Sequence, residues 1–333
     1  MEQVNTFGDR ARYAQMTPEE CLDAFKQVVA HPHLITVDHA LHEALRETGG
    51  ISLIFVCGPP GVGKTALKDH VIRMERVSIL SLWARPPLSG TFDWIDFLQS
   101  GIWALEPSWI DRKIALDTGD VEESTHTSQT DRSGTGHRPL KRVKDYDLRV
   151  SLETAIKRRR PAAVIIDDAQ HLGKVNSGRQ LQNQLDCIKS LASVTETVHV
   201  LIGTYELLDL RHVSAQIVGR SITIHFPRYG STHEELLQFK GILSAFQDLL
   251  PFEEETGILL EHWEYCYERS LGCVGILHQM LVRAVHSALW AGEKTLREKY
   301  LRRHALSKAD CDVMLREIQE GERACTSGPG RTG

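Results

Sequence analysis

An apolar run, Ile51 to Cys57, broken only by Ser52, ends in the octapeptide Gly58-Pro59-Pro60-Gly61-Val62-Gly63-Lys64-Thr65, and this junction restricts the fold more than any other feature. An apolar run without alternation suits a strand buried on both faces, as in a parallel sheet. The glycines allow a tight path that turns backbone N–H groups inward. A helix beginning near Gly63 would aim its positive end at the same point. Strand, glycine loop and helix with G-x-x-x-x-G-K-[ST] spacing make a cradle for the phosphates of a nucleoside triphosphate. The expected nucleotide-binding residues are Gly58, Pro59, Pro60, Gly61, Val62, Gly63, Lys64, Thr65 and Ala66. Lys64 would reach the β and γ phosphates and the Thr65 hydroxyl would ligate Mg2+, so ATP and Mg2+ are the expected cofactors.

Short apolar runs and amphipathic helical patterns alternate from there to Pro227. Further strands are expected at 77–83, 162–166, 198–202 and 222–226, with helices at 93–105, 146–159 and 180–194. That order predicts an α/β fold built on a doubly wound parallel sheet. Beyond Pro227 the pattern is helical only, at 234–250, 254–269, 274–291 and 308–320, which predicts a small all-helical lid. Ahead of the first strand, Thr17-Pro18-Glu19-Glu20 reads as a helix start, and a second helix is expected over 37–47. The expected division is an N-terminal helical extension at 1–48, a nucleotide-binding core at 49–228, a lid at 229–320 and a disordered tail at 321–333. A polar insertion at about 117–145 breaks the core. Residues 117–131 hold five acids and no Lys or Arg, whereas residues 132–160 hold ten Lys or Arg against three acids.

Composition removes several classes. The longest apolar run, 51–57, has seven residues even with Ser52 counted in, far below the ~20 a bilayer span needs. Glu2, Asp9, Arg10 and Arg12 precede no apolar stretch, so a secretory signal is not expected. The seven cysteines include no Cys-x-x-Cys pair, which argues against a disulfide framework or a zinc ribbon and for a reducing cytoplasm. With a net charge of −5, any contact with nucleic acid must come from a local basic patch.

Residues 164–168, Val-Ile-Ile-Asp-Asp, form an apolar strand ending in two carboxylates. Asp167 is the expected second Mg2+ ligand, and Asp168 stands where a carboxylate would polarise the attacking water. A turn or helix cap is the alternative use of such a pair. Thr204, directly after the fourth strand, could orient that water or cap a helix at 206–210. Arg220, just before the fifth strand, could face a neighbouring subunit's nucleotide as an arginine finger. Arg211 and Arg228 compete for that role, and an ordinary surface charge is the plain alternative. The expected catalytic residues are thus Asp168, Thr204 and Arg220, and the expected metal ligands Thr65 and Asp167. His171 is expected to be structural.

In this order the blocks resemble an AAA+ ATPase and, more narrowly, the TnsC/TniB group of transposition regulators. The resemblance rests on GPPGVGKT at 58–65, ARPP at 84–87 followed by Phe92-Asp93-Trp94, RRRP at 158–161, IIDDAQHL at 165–172, LIGTYEL at 201–207 and VGRSITIHFPRY at 218–229. It spans roughly residues 35–290. It implies ATP binding and homo-oligomeric rings or filaments around double-stranded DNA. It also implies a link from a target-selection protein or RNA-guided complex to a transposase, with ATP turnover governing disassembly. The chain departs from the group in having Asp168 where the group has Glu, which implies slow, assembly-dependent hydrolysis. The lid segment 271–277 also carries no arginine. Lys141, Arg142 and Lys144, on the basic side of the insertion, are the expected DNA contacts through phosphates; a solvated basic face is their other reading. Other readings of the whole are an ATP-gated scaffold with negligible hydrolysis, another AAA+ class such as an initiator or helicase loader, and a small-molecule kinase.

Overall fold

A computed structural model describes residue 13 and residues 15–26, 29–46, 50, 52–74, 78–88, 90–105, 145–175, 178–212, 215–252 and 257–326. Five parallel strands form one sheet: β1 (Leu53–Cys57), β2 (Ile79–Trp83), β3 (Ala163–Asp167), β4 (Val198–Gly203) and β5 (Ser221–His225). Their order is β2-β3-β4-β1-β5, so β1 lies between β4 and β5. Leu53 is in register with His199 on one side and Ser221 on the other. Alternate residues of β1 and β3 serve opposite faces, and both faces are covered. Ile54, Val56 and Ile165 pack against α2 (Pro32–Arg46) and α3 (Lys64–Met74). Leu53, Phe55, Val164 and Ile166 pack against α4 (Trp94–Leu105), α5 (Asp145–Arg159), α6 (Gly178–Thr195) and α7 (Glu206–His212). Burial on both faces explains the unbroken apolar runs.

A short α8 (Ala215–Val218) leads into β5, and the described chain beyond β5 is helical. It comprises α9 (His233–Leu249), α10 (Ile258–Glu261), α11 (Trp263–Ser270), α12 (Val274–Trp290), α13 (Glu298–His304) and α14 (Lys308–Thr326). Phe239, Leu243, Phe246, Leu277, Leu281 and Val285 build its interior. The two N-terminal helices separate. α1 (Pro18–Phe25), closed by a capping box between Thr17 and Glu20, sends Leu22 and Phe25 into this helical interior, while α2 joins the sheet.

The helix expected over 254–269 is two short ones, because His262 sits at φ −106°, ψ 29° and interrupts it. The expected tail also starts too early. α14 runs unbroken to Thr326, and Glu322 forms an ion pair with Arg228, so residues 321–326 are ordered helix held by a charge contact. The expected insertion, with Lys141, Arg142 and Lys144, lies outside the described residues, as does the chain after 326. No helix among the described residues is long and apolar enough to cross a membrane.

Candidate nucleotide site

Parallel strands present all their carboxyl ends on one edge, and the sequence motifs converge there. Gly58 follows β1, Asp168 follows β3 and Thr204 follows β4. The loop from Gly58 to Gly63 turns on two glycines with positive φ, Gly61 at +74° and Gly63 at +118°, angles a side chain would strain. Lys64 opens α3. Its ammonium bends back onto the loop, donating to the carbonyls of Gly58 (2.9 Å) and Pro59 (2.7 Å). Burial pulls the Lys64 pKa down to about 8, against the opposing pull of Cys273, Asp168 and neighbouring groups. Thr65 is exposed on the first turn of α3.

Asp167 is buried, and its Oδ2 accepts from Lys68 Nζ at 2.8 Å. Burial opposes the Lys68 charge, but the Asp167 carboxylate outweighs it and holds the ammonium above the usual lysine value. Asp168 adopts the left-handed conformation (φ 51°, ψ 35°), which Asp tolerates better than most residues. Its carboxylate is held from both sides: Trp83 Nε1 donates to Oδ2 (2.9 Å) and Gln170 Nε2 donates to Oδ1 (3.3 Å). Gln170 Oε1 in turn accepts from the Thr204 backbone N–H (3.3 Å), so one amide ties the ends of β3 and β4 together.

Thr204 does not use its side chain as a cap. The turn into α7 is closed by its carbonyl, which accepts from Leu207 N, while Thr204 Oγ1 is buried without a partner. A buried hydroxyl left unpaired costs free energy, so its retention here suits a ligand. Thr65 and Asp167 supply oxygen donors of the kind Mg2+ takes, with Lys68 occupying the Asp167 carboxylate. Among the described residues no cluster of three or more His, Cys, Asp or Glu could hold a metal.

Arg220 is not in this cluster. It stands exposed before β5, at the amino edge of the sheet, where its carbonyl accepts from Ser52 N and Leu53 N. Its two competitors are engaged: Arg211 with Ser221 Oγ and Arg228 with Glu322.

Beside the loop lies a small cavity lined by Val29, His31 and Leu34 from the N-terminal segment, Ala66 of α3, and Phe246 and His278 of the helical part. The N-terminal segment is pinned there by Tyr229, whose hydroxyl meets His31 Nδ1 (3.1 Å) and whose ring stacks on His33 at 4.0 Å. α12 abuts the loop directly, with Ile276 N donating to Gly61 O at 3.1 Å. Sequence reasoning missed this cavity, Lys68, the Trp83 and Gln170 contacts and the Arg228–Glu322 pair. Lys68 was findable, since it lies one turn from Lys64 on the same helix face. The pair was not, since its members are 94 residues apart.

A glycine loop feeding a helix, acids on the third strand and an order of β2-β3-β4-β1-β5 define the AAA+ P-loop NTPase fold. Residues 47–210 match the family described as AAA domain. The chain is similar in structure to the ORC2 protein of Aeropyrum pernix, solved as ADPNP-ADP complexes: 14% identity, TM-score 0.50, covering 85% of this chain and 72% of that one. It is equally similar to a Walker-type ATPase of Pyrococcus abyssi, with 14% identity, TM-score 0.50 and coverage of 86% and 75%. No curated protein matches the sequence significantly.

Proposed function

We propose that the protein is an ATPase that binds Mg·ATP in the Gly58–Thr65 loop, hydrolyses it slowly and uses the nucleotide to control its own assembly on double-stranded DNA. The observation that carries the reading is the unpartnered Thr204 hydroxyl, buried at the end of the strand next to β1, where Gln170 links the Thr204 backbone to Asp168. In this reading Lys64 leaves the Gly58 and Pro59 carbonyls for the β and γ phosphates, and the loop amides hold the rest of the phosphate chain. The purine would enter the cavity between His31, Ala66 and Phe246. Mg2+, when bound, neutralises charge that develops on the phosphates. Thr65 and Asp167 would hold it, with Lys68 moving aside. Asp168 accepts a proton from water and Thr204 orients that water. Arg220, exposed and without an ion pair among the described residues, is free to serve the site of an adjoining copy.

Regulation of DNA transposition is the finer proposal, and it rests on the sequence blocks that resemble the TnsC/TniB group. It brings a homo-oligomer, duplex DNA, a transposase and a target-selection protein or RNA-guided complex as partners, with residues 229–320 as the lid. The initiator-like reading is favoured by one observation, the likeness in fold to the Aeropyrum pernix ORC2 protein. Two experiments test the proposal. Equilibrium binding of a fluorescent ATP analogue should be lost, by about a hundredfold or more, in Lys64→Ala. Electron microscopy with duplex DNA and a non-hydrolysable analogue should show ordered rings or helices threaded by DNA. A Lys64→Ala protein that binds and assembles as the parent does would refute the reading.

A further inference from the structure

Arg228, three residues past β5, is held in a forked contact. Nε donates to Glu322 Oε1 at 2.9 Å and Nη2 to Glu322 Oε2 at 3.2 Å. The third donor, Nη1, reaches Leu271 O at 3.2 Å. Glu322 arrives from the last turns of α14, and that helix docks closely. Gly321 lies against the Tyr205 ring with no room for a Cβ, and Cys325 packs on the cluster that contains Cys57. Those contacts set the end of α14 against Tyr205, the residue after Thr204, and on the cluster that holds Cys57, the residue before Gly58.

The guanidinium is also near the phosphate loop. Leu271 opens the turn into α12, whose first turn donates to Gly61 O. Burial pushes the Cys273 thiol in that turn up to about 12, and Arg228 and Lys64 are the cations that oppose the rise. Segment 271–277, which faces the loop, contributes no arginine of its own. A guanidinium prefers forked contacts with planar or tetrahedral oxyanions, and a phosphate suits it as well as a carboxylate does.

We infer that Arg228 is a ligand for the terminal phosphate of the bound nucleoside triphosphate, held in reserve by Glu322, so that the end of α14 and the triphosphate compete for one guanidinium. The inference rests on the nucleotide reading above. The Glu322 carboxylate repels an incoming polyphosphate and neutralises the group that would bind it. Triphosphate binding therefore frees the last turns of α14 from Tyr205 and Cys57. By reciprocity, anything that captures that end of α14 tightens triphosphate binding. A diphosphate lacks the group that Arg228 would take and leaves the helix docked.

Affinities of the full-length protein for ADP and for a non-hydrolysable ATP analogue, measured by calorimetry with Mg2+, test this. Glu322→Gln should bind the analogue about tenfold more tightly and ADP within about twofold of the parent. Arg228→Ala should weaken the analogue by about tenfold or more, and Glu322→Gln should then add nothing in the double variant. Maleimide labelling of Cys325 should be faster with the analogue than with ADP. If Arg228→Ala does not fold, the Glu322→Gln affinities decide alone. Analogue affinities within twofold of the parent in every folded variant, with binding still lost in Lys64→Ala, would overturn the inference and leave the nucleotide reading standing. A parent protein that binds neither nucleotide would bring down both.

Discussion

The carboxyl edge of the sheet and the interior of the C-terminal helices spend their buried groups in opposite ways. In the helices, Leu243, Leu277, Leu281 and Val285 are wholly buried among apolar neighbours. The buried polar side chains there are used: Gln247 Oε1 accepts from Leu259 N at 2.9 Å, and Ser270 Oγ donates to Tyr267 O. At the sheet edge, Thr204 Oγ1 and His171 Nδ1 are buried without partners, Asp168 sits at positive φ, and Lys64 bonds to its own loop. In the helical part Arg269 Nε, Thr295 Oγ1 and His278 Nε2 are also unpartnered, and of these His278 lines the cavity beside the loop. The cleft thus combines unsatisfied polar groups with a left-handed backbone at Asp168, whereas the helical interior is dominated by apolar packing. A molecule arranged this way holds its shape from one region and keeps another ready for a ligand.

The largest expected effect breaks the packing side of this comparison. Leu281→Ala should cost about 2–5 kcal/mol of folding stability, because it opens a cavity among side chains that cannot all collapse into it. Chemical denaturation of the nucleotide-free protein measures it. A loss below about 1 kcal/mol would mean that the helical part is loosely packed and that the contrast drawn here is false.

A second test uses the buried histidines His199, inside β4, and His31, beside the cavity. Burial pulls both down to about 4, with His33 also repelling a proton on His31 and the Thr197 carbonyl opposing the fall at His199. Both are therefore neutral in the fold, while an unfolded chain protonates them near 6.5. Between those values the unfolded state binds more protons, so stability is complete above pH 6.5 and is lost as pH falls towards 4. Each histidine contributes a slope of up to about 1.4 kcal/mol per pH unit in that window. Melting temperatures from pH 7.5 to 5 should fall. Bound nucleotide should reduce the His31 share and leave that of His199 unchanged, which separates the cavity from the sheet.

Local chemistry was readable in the residues and long-range closure was not. The strand–loop–helix at 51–66 and the acids at 167 and 168 could be read because adjacent residues encode the turn and the strand end. The inner strands β1, β3 and β4 were found because double-sided burial leaves largely apolar runs, and the edge strands β2 and β5, only partly buried, because short β-branched and apolar stretches interrupt the helical pattern. The end of α14 was misread as tail because Gly321 and Glu322 look like a helix terminus until Tyr205 and Arg228 are brought beside them. Trp83 was read as the end of a strand, and only the pairing of β2 with β3, in which Trp83 is in register with Asp167, puts its indole beside Asp168.

That indole gives the smallest and most discriminating expectation. Trp83 is half exposed, so Trp83→Phe removes the Asp168 hydrogen bond with little loss of packing and should lower stability by about 1 kcal/mol or less. If Asp168 handles the attacking water, its orientation matters as well as its presence, and the freed carboxylate should reduce kcat for ATP several-fold while KM stays constant. Gln170 still restrains the other oxygen, so the loss should remain smaller than that of Asp168→Ala. A rise in KM at constant kcat would assign the Trp83–Asp168 contact to nucleotide binding. Unchanged kinetics in Trp83→Phe together with unchanged kinetics in Asp168→Ala would remove Asp168 from the chemistry and leave its left-handed backbone as a turn between β3 and the segment that follows.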